Sequence, residues 1–115
     1  MKIRKNIENA RAKAIAKGKK YATTIRQDTV RRAIERGEFR NLYCEYHMTD
    51  DYRYDADLNF GKGFVSKETL LREYSILTPS CWIDWNTVTM GDAECYRITL
   101  SFHSNLSYSM YVPVA

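Results

Sequence analysis

Apolar residues recur along the chain with two different periods, and the change falls near residue 41. Before it the spacing is helical. Ile3, Ile7, Ala10 and Ala14 form one narrow stripe, and Gly18 is placed to end that helix. Ile25, Val30, Ala33 and Ile34 form a second helical face. Thr24 and Gln27 stand at capping-box spacing before it and Gly37 follows it, which predicts a helix over about 25–36. From residue 41 the period is two. Leu42, Cys44, Tyr46 and Met48 alternate with Tyr43, Glu45 and His47, as in a half-buried strand. Residues 50–63 read as an acidic loop or an irregular strand pair. Ser66 then caps a helix with Leu70, Leu71, Tyr74 and Leu77 inward, Val65 set to staple against Leu70, and Pro79 closing the segment.

The last third carries three alternating faces: Cys81, Ile83, Trp85 and Thr87; Tyr96, Ile98, Leu100 and Phe102; Leu106, Tyr108, Met110 and Val112. Gly91-Asp92 suits a two-residue turn, and pairing Met90 with Ala93 then sets Trp85 opposite Ile98 and Ile83 opposite Leu100. A three-residue loop, His103-Ser104-Asn105 with Asn105 left-handed, pairs Phe102 with Leu106 and Leu100 with Tyr108, whereas a two-residue loop puts the faces out of register. Strands over 81–90, 94–103 and 106–113 should therefore form a consecutive antiparallel meander. The fold class is α+β: basic N-terminal helices, one further helix, and a meander of at least three strands, four being the expected number, with one apolar face.

Length changes this picture little, because 115 residues make a single domain, 1–115. With 44% hydrophobic and 13% aromatic residues the chain can close a core. No run is long enough to span a membrane, and Lys2, Arg4 and Lys5 are not followed by the apolar stretch of a signal peptide, so a cytoplasmic location without membrane contact is expected. Cys44, Cys81 and Cys95 are odd in number and far apart, which fits a reducing compartment.

Charge changes the picture most. Residues 1–40 carry 13 Lys and Arg against 4 acids, a net of +9, while residues 41–115 carry 5 against 10, a net of −5. A field of this asymmetry recruits polyanions. The stripe of the first helix is mostly methyl groups, so residues 1–20 read as a basic arm able to move until a partner orders it. Asp28 with Arg32 and Arg31 with Glu35 are one turn apart and use part of the charge as intrahelical pairs. The candidate contact residues for nucleic acid or a partner are Lys13, Lys17, Lys19, Lys20, Arg26, Arg31, Arg32, Arg36 and Arg40. A second candidate surface lies on the other face of the meander, where the expected register sets Arg97 opposite Asn86 and Tyr111 with Trp82 near them; aromatic rings and an arginine there can stack bases or anchor a protein.

Residues 24–34, TIRQDTVRRAI, resemble the turn and second helix of bacterial helix-turn-helix proteins. That resemblance implies that the helix begun by Thr29-Val30 enters a DNA groove with its arginines. A glycine expected at Thr24 and a small polar residue expected at Arg26 are absent, and the same residues also suit an ordinary amphipathic helix. Asp55, Asp57 and Asn59 before Gly61 look like the opening of a calcium loop, but Phe60 stands at the glycine position and Ser66 at that of the closing glutamate, so a solvated acidic loop is expected. Cys44 and His47 have CxxH spacing, with Cys81, Cys95 and His103 as further ligands for zinc; residues three apart on a strand point to opposite faces, however, which favours buried thiols. No catalytic, metal or cofactor site is implied. A concealed activity would have to use dispersed carboxylates or a lone cysteine. The chain thus reads as a small non-enzymatic binding protein that engages nucleic acid, DNA or RNA, or a nucleoprotein complex. The alternative is a phage-type, anti-CRISPR-like inhibitor that docks on a host protein.

Overall fold

The computed structural model describes residues 2–39, 43–47, 60–64, 66–103 and 106–114. Within them the chain runs α1 (Lys2–Ala16), β1 (Thr23–Thr24), α2 (Gln27–Glu35), β2 (Tyr43–His47), β3 (Phe60–Phe64), α3 (Lys67–Ile76), β4 (Ser80–Met90), β5 (Ala93–His103) and β6 (Leu106–Pro113). The strands form one antiparallel sheet in the order β1-β4-β5-β6-β2-β3. The α+β class and the consecutive meander are as the alternation predicts. Three further pairings extend it: β1 adds to β4 with Thr24 opposite Trp82, β2 adds to β6 with Tyr46 opposite Tyr108, and β3 returns along β2 with Tyr46 opposite Gly61.

One face of the meander supplies the core. Cys81, Ile83, Trp85, Tyr96, Ile98, Leu100, Phe102, Tyr108, Met110 and Val112 are buried in a single cluster with Ile3, Ile7 and Ala14 of α1, Val30, Ala33 and Ile34 of α2, and Leu70 of α3. The helices thus form a second layer over the apolar side of the sheet. The segment expected as a movable arm packs along its stripe, because Ile3 and Ile7 are fully buried, and two isoleucines gain about 3 to 6 kcal/mol on leaving water.

Helix ends follow the glycines. Gly18 and Gly37 have φ of +76° and +70°. In each case the next residue closes the helix backwards, Lys19 N–H to Ala14 O at 2.9 Å and Glu38 N–H to Ala33 O at 3.0 Å, which is the paired Schellman closure. Ser66 caps α3 by accepting from Thr69 N–H at 3.2 Å. The start of α2 is different from the expected one. Thr24 belongs to β1, opposite Trp82, and Arg26 takes the N-cap position in an extended conformation with no side-chain cap bond, so the capping box of Thr24 and Gln27 does not form. Leu77 likewise leaves α3 in an extended conformation and is not part of its inward face.

Two register details also depart from expectation. Gly91, φ +62°, makes the predicted turn and Met90 pairs with Ala93. Between Asp84 and Val88 the register then shifts, so Ile83 lies opposite Ile98 and Cys81 opposite Leu100; Trp85 is not opposite Ile98, and Arg97 faces Asp84 instead of Asn86. The side chain of Asp84 accepts from the N–H of Asn86 at 2.9 Å, a local bond that holds the irregular segment. In the second hairpin Leu100 faces Tyr108 as predicted, but His103, not Phe102, faces Leu106, and an irregularity between Ser101 and His103 absorbs the odd residue. Leu42, Met48, Asp55, Asp57, Asn59, Val65 and Asn105 lie outside the described residues, as do the side chains of Cys44, His47 and His103.

Candidate polyanion-binding surface

The basic residues of the first forty positions fall into two groups that differ in how their charge is used. On α2, Arg31 Nε lies 3.1 Å from Glu35 Oε1 and Arg32 Nη2 lies 3.3 Å from Asp28 Oδ2, the two intrahelical pairs expected from spacing. Arg36 Nη2 lies 3.1 Å from Glu38 Oε2, just past the helix, and Glu38 also accepts from the N–H of Lys2 at 3.2 Å. The two intrahelical pairs are exposed and add little stability, and all three pairs weaken the field each arginine projects. Arg26 is exposed at the start of α2.

The lysines are placed otherwise. Lys13 and Lys17 are one turn apart on α1, and the left-handed turn at Gly18 brings Lys19 back beside the end of the same helix. Lys13, Lys17 and Lys19 line a shallow hollow of about 170 Å³ with Ala10, Ala14, Thr23 and Thr24. Lys19 and Lys20 line a second of about 460 Å³ with Arg11, Ile15, Gly18, Trp85 and Asn86. Among the described residues, none of the four lysines makes an ion pair. Positive charge at a helix C-terminus is favoured by the helix dipole, so one part of this arrangement is structural. The hollows add concave, donor-lined surface at the same place.

Arg11 and Trp85 are additions to the contacts expected from sequence. Arg11 Nη1 donates to Tyr96 Oη at 3.1 Å, with its guanidinium 6.0 Å from the ring centroid, which fixes the side chain over β5. The spacing of Arg11 and Ile15, one helical turn, is enough to place those two together; nothing in the alternation of β4 brings Trp85 and Asn86 to them.

The second candidate surface is only partly open. Arg97 faces Tyr111 as expected, but its Nη2 bonds Asp84 Oδ2 at 2.5 Å, Tyr111 is buried, and Trp82 is half-buried. An aromatic and arginine stacking face therefore does not assemble from these three. The helix-turn-helix geometry does not form either, since the strand Thr23–Thr24 lies between α1 and α2, where that motif needs a turn of a few residues. Arg40 lies outside the described residues. Among the described residues, no three His, Cys, Asp or Glu gather as metal ligands, and no helix is long and apolar enough to cross a membrane.

Tyr74 and Cys81 form a perturbed titratable pair. Tyr74 Oη lies 3.5 Å from Cys81 Sγ beneath α3, and burial pushes both the phenol and the thiol up. Both are held neutral, so Cys81 is a poor nucleophile. No protein-family model, curated protein or solved structure matches the chain.

Proposed function

We propose that this protein is a non-enzymatic binding protein that contacts nucleic acid, or a nucleic-acid-handling complex, through the basic end of α1. Lys13, Lys17, Lys19 and Lys20, with Arg11 beside them, supply the contacts. The observation that carries this reading is the division of charge: Arg31, Arg32 and Arg36 each have a carboxylate within 3.3 Å, whereas the exposed lysines share two hollows without ion pairs among the described residues. Lysines so placed neutralise phosphates and release counterions, a mechanism that needs no base contacts. Titration of the protein with duplex DNA, single-stranded DNA and RNA at low and physiological salt tests it. Binding that weakens as salt rises is expected; no binding to any of the three at low salt overturns it.

A second reading, a phage-type inhibitor docking on a host enzyme, draws on Ile15 and Tyr21, which are 61% and 71% exposed in the same region. Exposed aromatic and aliphatic side chains beside a charged rim suit a protein partner. Capture of such a partner would persist after nuclease treatment.

A further inference from the structure

We propose that the larger hollow at the end of α1 is a built site for a single phosphate group, an inference that rests on the basic end of α1 being the polyanion contact and names the atoms that hold one anion there. Arg11, Lys19, Lys20, Trp85 and Asn86 supply its polar side chains, and among the described residues no acid lines it. All five can donate hydrogen bonds, and only the amide of Asn86 can also accept. A group with several acceptor oxygens and negative charge is what such a set recognises.

Trp85 gives the independent evidence. The residue is 9% exposed, and its Nε1 is buried without a hydrogen-bond partner among the described residues. A buried N–H left without an acceptor is costly, and such groups are rare outside places with a specific reason for them. The indole belongs to a side chain that lines the hollow; Nε1 itself has no open surface, so the ring must shift to present it to an anion oxygen bound there.

The backbone explains how these donors come together. In a regular strand, successive residues face opposite sides, yet Trp85 and Asn86 both line this hollow. They sit within the register shift between Asp84 and Val88, where the local bond from Asn86 N–H to Asp84 re-aims the strand. Asp84 itself is engaged by Arg97, which offsets its charge towards an anion in the hollow. Tyr96 supports both sides of the site: its ring packs edge-on against Trp85 at 6.2 Å and its hydroxyl accepts from Arg11. The site is thus held by the sheet and not by flexible side chains alone.

Phosphate at this place could come from a nucleic-acid strand or from a small phosphorylated molecule, and the experiment separates them. The indole N–H signals of the two tryptophans are followed by NMR on the full chain at constant ionic strength, first with inorganic phosphate and then with a short single-stranded oligodeoxynucleotide. Trp82 lies on another part of β4 and serves as the internal reference. A saturable shift of the Trp85 signal with phosphate, while Trp82 stays in place, is expected. Arg11→Gln should weaken binding about tenfold, the scale of removing one charge-assisted hydrogen bond. Asn86→Asp, at an exposed position that does not threaten folding, should weaken it further by repulsion. A Trp85 signal unmoved by phosphate, or a shift indifferent to both variants, overturns the site. If the oligonucleotide binds while Trp85 stays silent, this inference fails and the proposed function stands. If phosphate moves Trp85 but neither the oligonucleotide nor duplex DNA or RNA binds at low salt, the proposed function fails and the hollow serves a small phosphorylated molecule.

Discussion

Leu100 has no exposed surface and sits in the middle strand between Cys81 and Tyr108, so its side chain meets neighbours from both flanking strands. Leu100→Ala should lower unfolding free energy by about 2 to 5 kcal/mol through reduced burial and a cavity. Urea denaturation measures this directly, and a change below about 0.5 kcal/mol, the scale of a surface site, would contradict the packing. Cys81 makes a second prediction at this scale. Burial raises its thiol above the ordinary 9.0, so the unfolded chain ionises first as pH rises. Stability from the neutral Tyr74–Cys81 pair is therefore complete below about pH 9 and declines as pH climbs from there towards the raised folded value. Denaturation midpoints collected from about pH 7 to pH 10 should fall above about pH 9, and Cys81→Ala should flatten that decline; an unchanged slope in the variant would remove the thiol as its source.

At the scale of elements, α1 is held by few residues, and they can be tested against its own exposed positions. Ile7 is fully buried whereas Ile15, two turns on, is 61% exposed. Ile7→Ala should cost about 2 to 5 kcal/mol and Ile15→Ala less than about 0.5. Equal and small effects would mean that α1 does not dock on the sheet in solution. The faces of the elements were legible because each is strictly periodic: every described side chain of the three alternating sets is buried. The register shift in β4 was not legible, for a reason that lies in the pattern itself. Between Asp84–Arg97 and Val88–Cys95 the strand β4 advances by two residues more than β5, and an even excess leaves the alternation of faces intact. Hydrophobic periodicity is blind to such an insertion. The same blindness hid the hollow, since period two assigns Trp85 to the core and Asn86 to the opposite side. The failed capping box has another cause: Thr23 and Thr24 are β-branched residues beside an open strand edge, and pairing with β4 competes with capping for the same backbone.

For the whole molecule the question is whether binding reads the total positive field or one place on it. The division into +9 and −5 supplies a long-range field whichever residues touch the ligand, so single substitutions cannot separate the two. A matched pair of double variants can. Lys17→Ala with Lys19→Ala and Arg32→Ala with Arg36→Ala each remove two positive charges, so a response to the general field is the same for both. They differ in what they leave behind. Removing Lys17 and Lys19 strips the hollows at the end of α1, while removing Arg32 and Arg36 frees Asp28 and Glu38. On duplex DNA the slope of log affinity against log salt changes by about 0.9 for each phosphate that is no longer neutralised. The lysine variant should therefore flatten the slope by about 2, and the arginine variant by less than about 1 while lowering affinity at all salt concentrations through the acids left without their arginines. Equal flattening in both would show that the field alone drives binding and that the end of α1 has no special place in it. Flattening confined to the arginine variant would move the interface to α2, with Asp28 and Glu38 yielding their partners to phosphate.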